Sequence, residues 1–290
     1  MKQCKLIIMD MDGTLLNSDG VISKRTYDAL VKAEENGVRL VLASGRSWKT
    51  LQAFGEQLQM PKYDGYFIGV NGAAITETKT MTHNRISQLQ VDEIQEIFDF
   101  AKPYEVEIMG VLDSTIYDYI PDSLREIKKQ YRLENNIADD VPWTGGTFKL
   151  IVDQRKGYSE IYDIQHGHEI PVPVNKMTLC HTEEGLKDIY PALLENLGHK
   201  YNFTRTSPTW IEIAPKSVSK GNAIRLLQEQ LHITPEETYI FGDGENDLSM
   251  FPCGIAVAMG NAMPTVKEKA NRVTLDNNSD GIAEVVETLI

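Results

Sequence analysis

The sequence predicts an α/β fold: a doubly wound parallel sheet interrupted by an inserted α+β domain. Two observations carry this. At both ends of the chain, short apolar runs alternate with amphipathic helix-like stretches, the order that builds a parallel sheet covered on both faces. In the middle the short runs are bounded by Gly, Pro and Asp, as in an antiparallel sheet with helices set apart.

Lys5–Met9 reads as a buried strand. Thr26–Glu35 follows as a helix with Ala29, Leu30 and Ala33 at helical spacing, closed by Gly37. Arg39–Ala43 is a second strand, the stretch carrying Leu51, Phe54 and Leu58 a second helix, and Tyr66–Val70 a third strand. The pattern resumes with Ile224, Leu227 and Leu231 on one helix face, then strands at Tyr239–Phe241, Ile255–Ala258 and Arg272–Thr274. Between them, Val91–Lys102 and Ser123–Asn135 are helical, interleaved with the short runs Val106–Met109, Phe148–Val152 and Trp210–Ile213. Boundaries near Thr82 and Pro215 give a discontinuous core of residues 1–82 and 216–290 around an insert of residues 83–215.

A length of 290 residues suits two domains, and 41% hydrophobic with 24% charged residues suits a packed core rather than disorder. The net charge of −13, with no run of Lys and Arg, argues against nucleic acid and anionic membrane surfaces as partners. The early apolar run Leu6–Met9 is far short of a signal segment or of the roughly 20 residues that span a bilayer, so the expected location is cytoplasmic. Cys4, Cys180 and Cys253 are odd in number and widely spaced, which fits buried hydrophobes rather than disulfides or a zinc site.

The strongest chemical signal is Asp10-Met11-Asp12-Gly13-Thr14, directly after the first strand. Ligands of open α/β sheets bind where strands end, so both carboxylates emerge at the expected place. A second acidic cluster, Gly242-Asp243-Gly244-Glu245-Asn246-Asp247, also follows a strand. Like charges converging on one sheet edge repel unless a cation compensates them, and oxygen ligands without His or Cys favour a hard ion, Mg²⁺. Ser44-Gly45-Arg46, after the second strand, offers a hydroxyl and an open backbone N–H to an anion. Lys220 sits behind the N-cap candidate Ser219, in a first helical turn where a cation is disfavoured unless an anion faces it.

In this order the motifs resemble the haloacid dehalogenase-like (HAD) phosphatase superfamily, in particular its Cof-type sugar-phosphatase subgroup. Asp10–Ser18, Ala43–Arg46, Asn71–Ala73, Lys220-Gly221, Gly242–Asp247, Val257–Ala262 and Asp280–Ala283 carry the likeness. The resemblance implies that Asp10 is the nucleophile and forms an aspartyl-phosphate, while Asp12 is the general acid and then base. It implies Mg²⁺ held by Asp10, the Asp12 backbone carbonyl and Asp243, with Asp247 in support. It assigns phosphoryl contacts to Met11 N–H, Ser44, Gly45 N–H, Lys220 and Asn246, and makes the insert a cap domain that selects the leaving group. Ser217 stands where the family often has a glycine.

The expected activity is therefore Mg²⁺-dependent hydrolysis of small phosphate monoesters, sugar phosphates foremost. A phosphotransferase or phosphomutase, or a metabolite-binding protein without catalysis on the same scaffold, are the alternatives. Trp143, Gly145, Gly146 and Trp210 are candidates for a substrate-facing rim, with core packing the commoner fate of an aromatic. His166 with His168 reads as a solvated loop, and Glu34-Glu35 and Asp139-Asp140 read as exposed charge.

Overall fold

A computed structural model describes residues 3–146, 149–151 and 160–290. Along the chain, β1 (Leu6–Met9), α1 (Lys24–Glu35), β2 (Arg39–Ala43), α2 (Trp48–Gln57), β3 (Tyr66–Gly69), β4 (Ala74–Glu77) and β5 (His83–Arg85) come first. Next are α3 (Val91–Ala101), β6 (Glu107–Val111), β7 (Thr115–Tyr119), α4 (Asp122–Glu134), β8 (Glu160–Asp163), β9 (Lys176–Cys180), α5 (Ile189–Leu197), β10 (Tyr201–Ser207) and β11 (Trp210–Pro215). Last are α6 (Lys220–Leu231), β12 (Thr238–Gly242), β13 (Ile255–Ala258), α7 (Pro264–Lys269), β14 (Arg272–Val273) and α8 (Gly281–Val286). Two compact units result, Met1–Ile86 with Ser217–Ile290, and Ser87–Lys216.

The first unit holds an eight-stranded sheet in the order β14-β13-β12-β1-β2-β3-β4-β5. The strands from β14 to β3 are parallel, and β1, β3 and β12 are buried along their whole length, as apolar runs flanked by helices must be. Ile8 at the centre is fully buried, so truncation to Ala would cost about 3 kcal/mol.

Two antiparallel strands break the expected all-parallel pattern. After β3 the chain doubles back through Asn71 (φ 53°) and Gly72 (φ 101°), pairing Tyr66 with Glu77 in β4, and β5 pairs with β4 in turn. That pairing keeps residues 83–86 with the first sheet, which moves the first crossing four residues beyond the sequence estimate of 82. A Cβ on Gly72 would lie 2.1 Å from the Ser219 carbonyl oxygen, so the turn after β3 packs directly against the start of α6.

The helix α1 begins at Lys24 because Ser23 accepts a hydrogen bond from Thr26 N at 3.1 Å, which satisfies an otherwise orphaned donor. Its last turn corrects one expectation. Glu35 is exposed but Glu34 is only 2% exposed, because the face bearing Leu30 and Ala33 turns it inward. Both Glu34 carboxyl oxygens are buried without a hydrogen-bond partner, and burial pushes the group up to about 8, against the opposing pull of Lys62. The carboxyl is therefore neutral in the fold at neutral pH.

The second unit has a six-stranded sheet in the order β10-β11-β9-β6-β7-β8. It is antiparallel except where β7 and β8 run together, a departure from the wholly antiparallel insert that the sequence suggested. Ile94, Ile97 and Phe98 of α3 and Leu193 of α5 share one apolar cluster with Ile108, Met177, Leu179 and Ile211 from the strands. Cys180 and Trp210 pair across β9 and β11 and pack with Met109, Val111 and Ile116, so Trp210 is a core residue and not a rim. The predicted strand Phe148–Val152 has both ends outside the described residues, and Lys149 forms an isolated bridge to Gly146.

A buried ionic cluster fixes the segment after α4. Lys128 Nζ donates to Glu107 Oε2 at 2.5 Å and to the Trp143 carbonyl at 2.6 Å, while Gly145 N donates to Glu107 Oε1 at 2.6 Å. Asp118 shares this site, and burial, helped by the neighbouring Glu107 charge, raises its carboxyl well above the ordinary range. Trp143 and Gly145 are thus tied down rather than free at a loop tip. His166 and His168 stack with centroids 5.2 Å apart and stay exposed, while Asp139 and Asp140 are exposed as well. All three cysteines are free and buried. Among the described residues, no helix is long and apolar enough to cross a membrane.

Candidate active site

Register assembles the site. Met9 lies opposite Leu42 in β2 and Phe241 in β12, all parallel, so Asp10 leaves the sheet beside Ala43-Ser44 and Gly242-Asp243. Three segments far apart in sequence therefore end at one edge, the position where an open α/β sheet binds ligands.

The helix α6 delivers the fourth part. Ser219 caps it by accepting from Asn222 N at 3.1 Å, and Lys220 in its first turn is buried with 1% exposure, which excludes a solvated surface lysine. Its Nζ donates to Asp10 Oδ1 at 2.5 Å and to Asp247 Oδ1 at 2.7 Å. The other Asp247 oxygen accepts from the backbone N–H of Asp243 at 3.0 Å and of Gly244 at 3.1 Å. Asp243 Oδ1 accepts from the Thr14 hydroxyl at 2.7 Å. Gly13 is obligatory here: its φ is +80°, and a Cβ would lie 2.4 Å from Asp243 Oδ2.

The charges do not balance. Asp10, Asp243 and Asp247 place carboxylate oxygens within 4.8 Å of one another, and among the described residues the cation bonded to this cluster is the Lys220 ammonium. Burial pushes the Asp10 carboxyl up, Lys220 pulls it down, and Asp247 and Asp243 push it further up. Asp243 is also raised, by burial and by Asp247, against the Thr14 hydrogen bond. Lys220 answers in kind: although burial works against its charge, Asp10 and Asp247 hold its ammonium above the ordinary range. A carboxylate cluster carrying excess negative charge and offering only hard oxygen donors fits a divalent cation of the Mg²⁺ type.

The remaining residues divide. Asp12 points elsewhere: its carboxylate accepts from Arg46 Nε at 3.0 Å and Nη2 at 2.5 Å, and its side chain is exposed. Ser44 is buried, with its hydroxyl accepting from Arg46 N at 3.2 Å. Gly45 lies against the Asn71 amide, 3.3 Å from where a Cβ would stand. Met11 is fully buried, so its backbone rather than its side chain is what the turn presents. Asn246 is exposed in the short turn Glu245–Asp247, its amide oxygen close to Gly244. Sequence reasoning missed Arg46 as the partner of Asp12 and Thr14 as the partner of Asp243, although both lie inside quoted motifs. Charge complementarity alone could have suggested the first.

A family model for haloacid dehalogenase-like hydrolases matches residues 7–286, nearly the whole chain. The chain belongs to the haloacid dehalogenase-like hydrolase family. Phosphatase YwpJ of Bacillus subtilis is 29% identical over 99% of this chain and 100% of that protein. A haloacid dehalogenase-like hydrolase from Bacteroides thetaiotaomicron superposes with a TM-score of 0.77 at 29% identity, covering 99% of this chain and 100% of that one. The HAD subclass IIB sugar phosphatase BT4131 follows at 0.72 and 25%, with coverage of 99% and 100%. The Cof-type resemblance and the α/β fold both hold, and the family and its relatives make the chain a phosphatase enzyme.

Proposed function

We propose that the first unit is a catalytic core that hydrolyses small phosphate monoesters, sugar phosphates foremost, through an aspartyl-phosphate on Asp10. The second unit is then the inserted cap domain of the family, and the setting is the cytoplasm. The observation that carries this reading is the Lys220 ammonium shared between Asp10 and Asp247 in a cluster of three carboxylates. A nucleophilic carboxylate must approach a phosphate dianion of its own sign, and this cluster is built to take up positive charge.

An Asp10 oxygen attacks phosphorus in line as the ester oxygen departs, and Asp12, which takes up a proton on leaving its Arg46 ion pair, passes that proton to the departing oxygen. Asp12, now a carboxylate, takes a proton from the water that attacks the acyl-phosphate, which frees phosphate and restores Asp10. Lys220, the Ser44 hydroxyl and the N–H groups of Met11 and Gly45 hold the phosphoryl oxygens, with Asn246 at the margin. Asp10, Asp243, Asp247 and the Asp12 carbonyl would hold Mg²⁺, which when bound offsets the charge between nucleophile and phosphate. The Arg46 pair keeps Asp12 in a defined place until it acts.

The sugar-phosphatase reading draws support from the BT4131 likeness. A phosphate-release assay over a panel of phosphate monoesters, run with Mg²⁺ and with chelator, tests both halves. Release from hexose and pentose phosphates that stops with chelator is the expected result. Isomerised sugar phosphate accumulating without free phosphate would replace hydrolysis by a mutase, and no turnover on any ester would leave a binding protein.

A further inference from the structure

The turn that carries Asp10 and Asp12 is tied to the sheet at its start, where Asp10 N bonds the Phe241 carbonyl at 3.1 Å, and bridges Asp12 to Leu16. Residues 10–16 close on themselves by Leu15 N to the Asp10 carbonyl at 3.2 Å and Leu16 N to the Met11 carbonyl at 2.9 Å. Two of its carbonyls, those of Gly13 and Leu16, face the loops that follow β13 and β14. Two asparagine side chains from these loops donate to them. Asn261 Nδ2 donates to the Gly13 carbonyl at 2.7 Å, and Asn277 Nδ2 donates to the Leu16 carbonyl at 2.8 Å. The two are joined, because Asn261 Oδ1 accepts from Asn277 N at 3.1 Å.

Each asparagine is itself set by the sheet. Asn261 follows β13, where Met259 N bonds the Gly242 carbonyl at 3.1 Å and Met263 N bonds the Asp243 carbonyl at 3.1 Å. Asn277 follows β14, where Gly260 N bonds the Leu275 carbonyl at 3.0 Å. Gly13 is thus held from two sides, its α-carbon against the Asp243 carboxylate and its carbonyl by Asn261. A displacement of Gly13 must move the Asp12 backbone before it and the Asp243 contact beside it together.

We infer that Asn261, locked by Asn277, is a positioning residue for phosphoryl transfer: it clamps the turn bearing Asp10 and Asp12 through the Gly13 carbonyl, not through the carboxylate cluster. This rests on the reading of Asp10 and Asp12 given above. Misplacement of reacting groups by an ångström lowers turnover steeply while leaving substrate affinity nearly alone.

The test compares Asn261→Ala, Asn261→Asp, Asn277→Ala and the Asn261→Ala/Asn277→Ala double variant with wild type and with Asn278→Ala. Asn278 bonds Ser18 N from the same loop but outside the turn, and serves as the control. With p-nitrophenyl phosphate, kcat should fall about tenfold to a hundredfold for Asn261→Ala, with KM within about threefold of wild type. Asn261→Asp keeps an acceptor for Asn277 N yet cannot donate to Gly13, and should lose as much. The double variant should lose less than the product of the single losses, since the two side chains form one unit.

Amide hydrogen exchange gives a readout free of activity. Leu15 and Leu16 amides should exchange about tenfold faster or more in Asn261→Ala, while amides of β2 stay as in wild type. Unchanged exchange at Leu15 and Leu16, or a kcat matching that of Asn278→Ala, overturns the clamp. A wild-type chain that hydrolyses no ester overturns the function proposed above instead, with exchange still deciding the clamp.

Discussion

Arg46 grips Asp12 with two hydrogen bonds, Nε at 3.0 Å and Nη2 at 2.5 Å, while Asp10 two residues earlier turns inward to Lys220. Two aspartates of one turn thus have opposite surroundings. The buried one is crowded by carboxylates, in keeping with the attack on phosphorus proposed for it; the exposed one is open to solvent, in keeping with the proton transfer proposed for it. Removing the guanidinium should disturb only the second role. Arg46→Ala should therefore slow hydrolysis of alkyl phosphates about tenfold, and that of p-nitrophenyl phosphate much less, because a phenolate needs little protonation to depart. Equal losses on both esters would place Arg46 outside the proton-transfer step.

Asp10→Asn should lower kcat by more than about a thousandfold while the melting temperature stays within a few degrees of wild type. The amide keeps the shape but cannot form an acyl-phosphate. Steady-state phosphate release with a parallel thermal melt checks both statements. Undiminished release would remove Asp10 from the role of nucleophile.

Lys220→Met leaves Asp10 and Asp247 facing each other with no cation between them. Breaking a buried charge pair from one side costs about 3–5 kcal/mol, so the variant should melt well below wild type in chelator. Added Mg²⁺ should recover part of that loss. A melting temperature indifferent to the substitution would mean that the three carboxylates shed their charge by some other route.

Mg²⁺ should also stabilise the wild type, because an ion bound by the fold and not by the unfolded chain shifts the equilibrium by mass action. Melting temperature should rise with Mg²⁺ concentration and fall back on chelation. Asp243→Asn should blunt the rise, since it removes one of the three clustered carboxylates.

Glu34 gives a pH dependence of known sign. The folded chain holds a proton on this carboxyl up to about pH 8, whereas an unfolded chain releases it near the ordinary value of about 4.5. Protonated Glu34 is thus compatible with the fold at full strength below the unfolded value, and its contribution is lost as pH rises through the folded one. Glu34→Gln should match wild type in melting temperature at pH 4 and exceed it at pH 8, by on the order of a few kcal/mol in stability. Parallel melting curves across that range would show that the carboxyl ionises in place at no cost.

The legible parts of the chain were those where one local rule sufficed. Strands β1, β2 and β13 read from apolar runs, and α3 and α6 from spacing and a cap such as Ser219. Strands β4 and β5 did not, because Ala74–Glu77 and His83–Arg85 alternate weakly and owe their pairing to the reversal at Asn71-Gly72. Glu34 and Glu35 look alike in sequence, and only helix phase against α8 and the sheet buries the first and exposes the second. Asp10, Asp243, Asp247 and Lys220 were recognisable by residue type after a strand or at a helix start. That Asp10 and Asp247 share the Lys220 ammonium beside Asp243 depends on the register of β1 with β12, which no local pattern encodes.

The central strand of the first sheet takes its two neighbours from opposite ends of the gene product. β1 pairs with β2 some thirty positions on, but its other edge waits for Thr238–Gly242. During synthesis that edge stays open until the entire second unit has emerged, an exposed apolar strand able to recruit another nascent chain. Truncation before Thr238 makes that state permanent. Chaperone demand and inclusion-body formation should accordingly track how quickly the last quarter of the polypeptide is translated.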